Sequence, residues 1–140
     1  MYLLDTDNMT LLEQANPDAI RLKNRIAAVP PDDLATTIIS YEEQTRGWLA
    51  VSALSRTPQA QVTAYRRLKR HLQIYSKIAV IDFDERAAAE FMRLKQAKVG
   101  IGTMDLKIAA IGLAKDAIVL TRNVQYFSKI PGLKFEDWSL

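Results

Sequence analysis

The sequence predicts an α/β protein, a three-layer sandwich in which a central, mainly parallel sheet is flanked by helices. Short apolar runs of strand length alternate with longer segments of helical periodicity, which is the pattern of βαβ units. Several of those runs, such as Leu34 to Ser40 and Ala117 to Thr121, are short and largely apolar, as befits strands covered on both faces. Cap-plus-proline signals open the helices at Asn16-Pro17 and Thr57-Pro58.

Taken in order, Met1-Tyr2-Leu3-Leu4 is a first strand of at most a few residues that stops at Asp5-Thr6-Asp7. No helix obviously needs Asp5 as a cap, since Asp7 or Asn8 can cap a short helix reaching to Gln14. Asn16-Pro17-Asp18 opens a second helix that carries Ile20 to Ile26 and ends at Pro30-Pro31. The strand Leu34 to Ser40 follows, and Ser40-x-x-Glu43 reads as a capping box opening a helix that runs past Gly47 to Leu54. After Thr57-Pro58 a long helix places Val62, Tyr65, Leu68, Leu72 and Tyr75 at three- and four-residue spacing, which predicts that they form its buried stripe.

Ile78 to Asp82 is the next strand, and Asp84 caps a helix that turns Ala87, Phe91 and Leu94 inward. The loop Gly100-Ile101-Gly102-Thr103 delivers the chain into Met104 to Ile111, apolar nearly all round except at Asp105 and Lys107, and therefore a central buried helix. Asp116 leads into the strand Ala117 to Thr121, and Lys134-Phe135-Glu136 forms an edge strand.

Composition narrows the chemistry. The 140 residues match one domain, 1–140, large enough for a substantial core. There is no cysteine and a single histidine, His71, so thiolate and histidine-based zinc sites and a Cys–His nucleophile are excluded. Any metal must rest on oxygen ligands, which suits hard cations such as Mg²⁺ or Mn²⁺. No apolar run approaches the roughly 18–20 residues of a membrane helix, so the expected location is cytoplasmic, with no membrane partner. A net charge of +3 is compatible with a polyanionic partner without requiring one.

Four oxygen-bearing side chains then stand at comparable places: Asp5 after the first strand, Glu43 beyond Ile38-Ile39-Ser40, Asp105 at the start of the apolar helix, and Asn123 past Ile118 to Thr121. Singly, Glu43 is explained as a capping-box acid and Asp105 as a first-turn acid favoured by the helix dipole. Jointly they would share one edge of the sheet, where crevices of open α/β folds lie. Gathered carboxylates repel unless a cation neutralises them, so the cluster points to a metal site. Water activated by such a cation attacks a phosphodiester while the ion stabilises the leaving oxygen.

The chain resembles the PIN-domain ribonucleases, and more narrowly the VapC-type toxins of bacterial and archaeal toxin–antitoxin pairs, along nearly its full length. The resemblance is carried by Leu3-Leu4-Asp5-Thr6-Asp7, by Ser40 to Gly47 with Glu43 four residues before the glycine, by Ile101-Gly102-Thr103-Met104-Asp105-Leu106-Lys107-Ile108-Ala109-Ala110, and by Leu120 to Phe127 followed by Ile130-Pro131-Gly132-Leu133. It implies Mg²⁺- or Mn²⁺-dependent cleavage of RNA, with Asp5, Glu43 and Asp105 as metal ligands and Asn123 as a fourth ligand or water-orienting group. Many relatives carry an acid near that fourth place, so Asn123 lowers the negative charge of the site. Around these, Thr6, Asp7, Ser40 and Thr121 are supporting residues. The resemblance further implies a homodimer and a cognate antitoxin whose C-terminal segment covers the acidic groove; the Leu11-Leu12 or Trp48-Leu49 helix would suit either contact.

The densest basic run, Arg66-Arg67-Leu68-Lys69-Arg70, is a solvated helix face first and a track for RNA phosphates second. Arg46 and Arg122, with Lys95 and Lys98, are further phosphate contacts. Trp48 and Trp138 are expected to pack rather than to stack on bases. Two rival readings remain: a haloacid-dehalogenase-like phosphatase with Asp5 as nucleophile and Asp7 as acid, and a non-catalytic RNA-binding module of the same fold. The first requires a late pair of acids where Thr121-Arg122-Asn123 stands.

Overall fold

The computed structural model describes all 140 residues. Five short strands, β1 (Tyr2–Leu4), β2 (Leu34–Thr37), β3 (Ala79–Ile81), β4 (Ile118–Leu120) and β5 (Lys134–Glu136), form one sheet in the order β3-β2-β1-β4-β5. Every pairing is parallel, including that of the β5 edge, with Leu3 opposite Ala35 on one side and Val119 on the other. The helices are α1 (Thr6–Leu11), α2 (Pro17–Ala27), α3 (Ile38–Leu54), α4 (Pro58–Tyr75), α5 (Glu85–Gln96), α6 (Thr103–Lys115) and α7 (Val124–Phe127).

Alternation along the strands builds the three layers. Leu3 and Val119 enter a core with α5 and α6, through Ala87, Leu94, Leu106 and Ile108 to Ile111. Leu4 and Leu120, pointing the other way, enter a second core with α1 and α2, through Met9, Leu11, Ala19 and Leu22, closed by Tyr75 and Trp138. The α6 helix is buried on nearly all sides, as its composition predicts, and its Gly112 faces β4: a Cβ there would lie 2.8 Å from Val119 Cγ2 and 3.2 Å from Leu133 Cδ1.

Successive crossovers step outward from β1 to β2 to β3, and the chain then returns past β1 to β4. The strand order therefore reverses between β1 and β4, and the crevice opens at their carboxyl ends. Asp5 follows β1 and Thr121-Arg122-Asn123 follow β4, so the topology itself brings these segments together.

Three local expectations are corrected. The α3 helix begins at Ile38, capped by Thr37, whose hydroxyl accepts from Ser40 N at 3.2 Å. Ser40 is therefore inside the first turn, and Glu43 lies too far along the helix to close a capping box. Asp5 is a cap after all: its carboxylate accepts from Asn8 N at 2.8 Å, so α1 starts at Thr6. On α4 the buried residues are Ala64, His71 and Tyr75, while Val62, Tyr65 and Leu72 are exposed. Neighbouring aromatics decide that rotation, because Tyr41 of α3 stacks on His71 with ring centroids 5.2 Å apart and Tyr75 meets both rings edge-on. No helix is long and apolar enough to cross a membrane.

Candidate functional site

At the carboxyl edge of the sheet, Asp5, Thr6, Asp7, Glu43, Asp105, Arg122 and Asn123 line a cavity of about 450 Å³ with no apolar residue in its wall. All four residues singled out above as the acidic constellation are there. Each arrives on a different element: Asp5 at the β1–α1 junction, Glu43 on the second turn of α3, Asp105 on the first turn of α6, and Asn123 where β4 passes to α7.

Asp5 is 3 % exposed, and burial pushes its carboxyl up to about 7, against smaller opposing effects of the Asn8 N–H and the Thr121 hydroxyl. Thr121 is completely buried and its Oγ1 accepts from Asn123 N at 2.9 Å, which leaves its proton for Asp5. Asp105 is likewise raised, first by desolvation, while the Asn123 amide beside it works the other way and Asp7 adds repulsion. Thr6 Oγ1 stands 2.6 Å from Glu43 Oε1 and 3.1 Å from Ser40 Oγ. With one proton to give, it donates to the carboxylate and accepts from Ser40, which is completely buried. Thr6 and Thr121 thus touch the acids directly, and Ser40 acts on Glu43 through Thr6.

Asp7 faces outward. Arg122 grips it through Nε at 2.7 Å and Nη2 at 2.8 Å, and reaches Asp18 through Nη1 at 3.1 Å. A residue expected to meet RNA phosphate is therefore also a clasp joining α1, α2 and the loop after β4. The pair occupies the acid that the phosphatase reading would need free.

The carboxylates ring one cavity without meeting at a point: no three of them are arranged to hold an ion between them. The physical reason is that each has taken a neutral or cationic partner, Asp5 with Asn8 N, Glu43 with Thr6, Asp7 with Arg122 and Asp105 with Asn123. The donor set still fits a hard divalent cation. Every donor is oxygen, two of the acids hold protons more tightly than usual because burial strips them of water, and Mg²⁺ characteristically binds through one or two carboxylates and keeps several waters.

Among the basic residues, Arg46 pairs with Glu42 at 2.7 Å. Arg70 and Arg67 lean on Glu13 at 3.3 and 4.0 Å, and Arg67 also covers the Trp48 ring at 4.6 Å from its centroid. Arg66 and Lys69 are exposed on the outer side of α4. Trp138 packs, 3 % exposed against Tyr2 and Arg25. Trp48 is half-buried, its ring covered by the Arg67 guanidinium. The sequence reading also missed Asn8, which is buried at 1 % exposure with neither its side-chain oxygen nor its nitrogen paired. A polar residue immediately before Met9-Thr10-Leu11-Leu12, on the short helix that turns Met9 and Leu11 inward, is the available signal.

The chain is similar to Ribonuclease VapC1 of Haemophilus influenzae (strain R2866), 26% identical over 144 residues that cover 99% of this chain and 98% of the relative. Its backbone follows that in a structure of VapBC-1 from nontypeable Haemophilus influenzae, with a TM-score of 0.79 at 24% identity and coverage of 99% and 98%. It also follows that in a toxin-antitoxin complex from Klebsiella pneumoniae, with a TM-score of 0.69 at 22% identity and 95% coverage of each chain. A family model, the PIN domain, matches residues 2–133, and with β1, α3, α6 and the β4–α7 loop bringing their polar ends to one cavity, the chain belongs to the PIN domain family.

Proposed function

We propose that this protein is an endoribonuclease that hydrolyses RNA phosphodiester bonds with a divalent cation, Mg²⁺ or Mn²⁺, and that it acts as the toxin of a toxin–antitoxin pair. The observation that carries the reading is the all-polar cavity at the strand switch point, walled by Asp5, Glu43, Asp105 and Asn123 from four separate elements. Asp5, Glu43 and Asp105 would hold the ion, directly or through its waters. A bound cation supplies an activated water and charge stabilisation at the leaving oxygen.

The chain's own residues do the rest. Thr6 fixes the Glu43 carboxylate from one side, Asn123 steadies Asp105 from the other, and Thr121 orients both Asp5 and the Asn123 backbone. Arg122, with two guanidinium protons not taken up by its carboxylates, sits at the cavity wall where a phosphate oxygen would lie. A similarly folded chain in the Klebsiella pneumoniae toxin-antitoxin complex supports an antitoxin as partner.

Purified protein incubated with total RNA in Mg²⁺, Mn²⁺ or EDTA, with new 5′ and 3′ ends mapped, tests the reading. Cleavage is expected with the metals, none with EDTA, and none from an Asp105→Asn variant. RNA bound equally with and without metal and never shortened would leave a non-catalytic module instead.

A further inference from the structure

Arg122 joins two carboxylates that lie far apart in the chain. Its Nε and Nη2 donate to the two oxygens of Asp7 at 2.7 and 2.8 Å, and its Nη1 donates to Asp18 Oδ2, 104 positions away in sequence, at 3.1 Å. The backbone beneath it is fixed as well, since Thr121 N donates to Glu136 O at 3.0 Å and Asn123 N donates to the buried Thr121 hydroxyl at 2.9 Å. We propose that Asp18, together with Asp7, is a positioning residue for RNA cleavage: the two acids clamp the Arg122 guanidinium in one orientation at the cavity wall, where it meets an oxygen of the scissile phosphate. The proposal rests on the ribonuclease reading above.

The charges show what the clamp supplies. One guanidinium set against two carboxylates leaves the trio negative, so it does not draw in a polyanion from a distance. An arginine that served only to attract RNA would gain by standing free in solvent, as the exposed Arg66 and Lys69 do on α4. What the two acids give instead is orientation. A long arginine side chain loses rotamer freedom when it grips a phosphate, and its planar fork makes strong bonds only when the plane is correctly set. Three N–H donors hold the plane here, and two of the five are left for a ligand.

Asp18 also has ordinary work. It lies in the first turn of α2, where the helix dipole favours a carboxylate, and its other oxygen takes Arg21. Neither role requires the reach of Arg122 across to α2, a helix that places no residue of its own in the cavity wall. Asp7 by itself would hold the guanidinium against one side chain that is 47 % exposed and free to swing with it. A second carboxylate on a second helix removes that freedom.

Asp18→Ala is the cleaner probe, because Asp7 also repels Asp105 and its loss would alter the acids themselves. The substrate is a fluorescein-labelled RNA oligonucleotide spanning one cut site mapped in total RNA. Asp18→Ala should lower kcat by about fivefold, the most that a partly solvated ion pair supplies. KM should stay level or fall, since a negative charge has left the rim that RNA approaches. Asp18→Asn, which keeps an acceptor oxygen for Arg122, should recover part of the loss.

Two further readouts separate positioning from a structural role. In Arg122→Ala protein, adding Asp18→Ala should change kcat by less than about 1.5-fold, because the group it positions is gone. In protein carrying Asp105→Asn, so that RNA is not cut, Asp18→Ala should bind the oligonucleotide at least as tightly as before. An unchanged kcat in Asp18→Ala overturns the proposal. So does an equal loss in the Arg122→Ala background, or weakened RNA binding, either of which gives Asp18 a part in folding or in substrate affinity instead. Failure of the ribonuclease reading is a different result, seen before any variant is made: no metal-dependent cleavage by the unmodified protein.

Discussion

The Asp5 carboxyl is held in a place that favours function over stability, and Asp5→Asn measures the cost. Asn keeps an oxygen for the Asn8 N–H and is as good a cap as Asp, so only the charge is removed. With the carboxyl raised from 3.8 to about 7, the folded protein binds a proton that the unfolded chain has released across that interval. Stability contributed at this position is accordingly present below pH 4 and lost as pH rises towards 7, by about 4 kcal/mol in all at about 1.36 kcal/mol per pKa unit.

Roughly 3 kcal/mol of that falls between pH 5 and pH 8. In EDTA, Asp5→Asn protein is expected to unfold at higher urea than the unmodified protein at pH 8, with the gap narrowing by about that amount at pH 5. On heating, the pH 8 gap should be on the order of 10 °C for a chain of this size. A divalent cation that occupies the site should narrow the gap from the other side, by stabilising the unmodified protein alone. A pH-independent gap, or an Asn variant no more stable at pH 8, would refute the argument that uncompensated burial of charge sets the Asp5 proton affinity.

The remaining expectations concern single contacts. Thr6→Val removes the hydroxyl that donates to Glu43 Oε1 at 2.6 Å; kcat should fall by about 10- to 100-fold, as for a charge-assisted bond of about 1.5–3 kcal/mol, and Thr6→Ser should restore it. Asn8→Leu replaces a buried, unpaired amide and should raise stability by about 1–3 kcal/mol in urea unfolding, whereas a loss would show that the amide has a partner such as a trapped water. Gly112→Ala should cost about 1–2 kcal/mol despite better helix propensity, because its Cβ meets the stiff, fully buried Val119 at 2.8 Å. Arg122→Ala should slow cleavage yet change stability by less than about 1 kcal/mol, since its ion pairs with Asp7 and Asp18 are partly solvated.

Local chemistry was legible where the answer lies within a few residues. Asn16, Thr57 and Asp84 cap their helices as the sequence indicates, because a cap satisfies backbone donors two or three positions away. Thr37 displaced Ser40 as the cap of α3 because β2 pairing ends at Thr37, an event fixed by neighbouring strands. The buried stripe of α4 was misread for the same reason: Val62, Tyr65 and Leu72 are apolar, but only Ala64, His71 and Tyr75 find a partner, since Tyr41 waits on α3. Trp48, expected to pack, is half-buried with the Arg67 guanidinium over its ring.

From the residues alone one can determine an α/β chain without thiol chemistry, the places where strands stop, and the oxygen-bearing side chains that sit at those stops. Only the tertiary structure decides that Asp5, Glu43, Asp105 and Asn123 wall one cavity, that Asp7 is paired with Arg122 there, and that Asp5 is buried enough to keep its proton near neutral pH. The division follows from range. Hydrogen-bonded turns and apolar periodicity act between neighbours in sequence, whereas desolvation and charge repulsion act between neighbours in space, and those are assigned by strand order and packing.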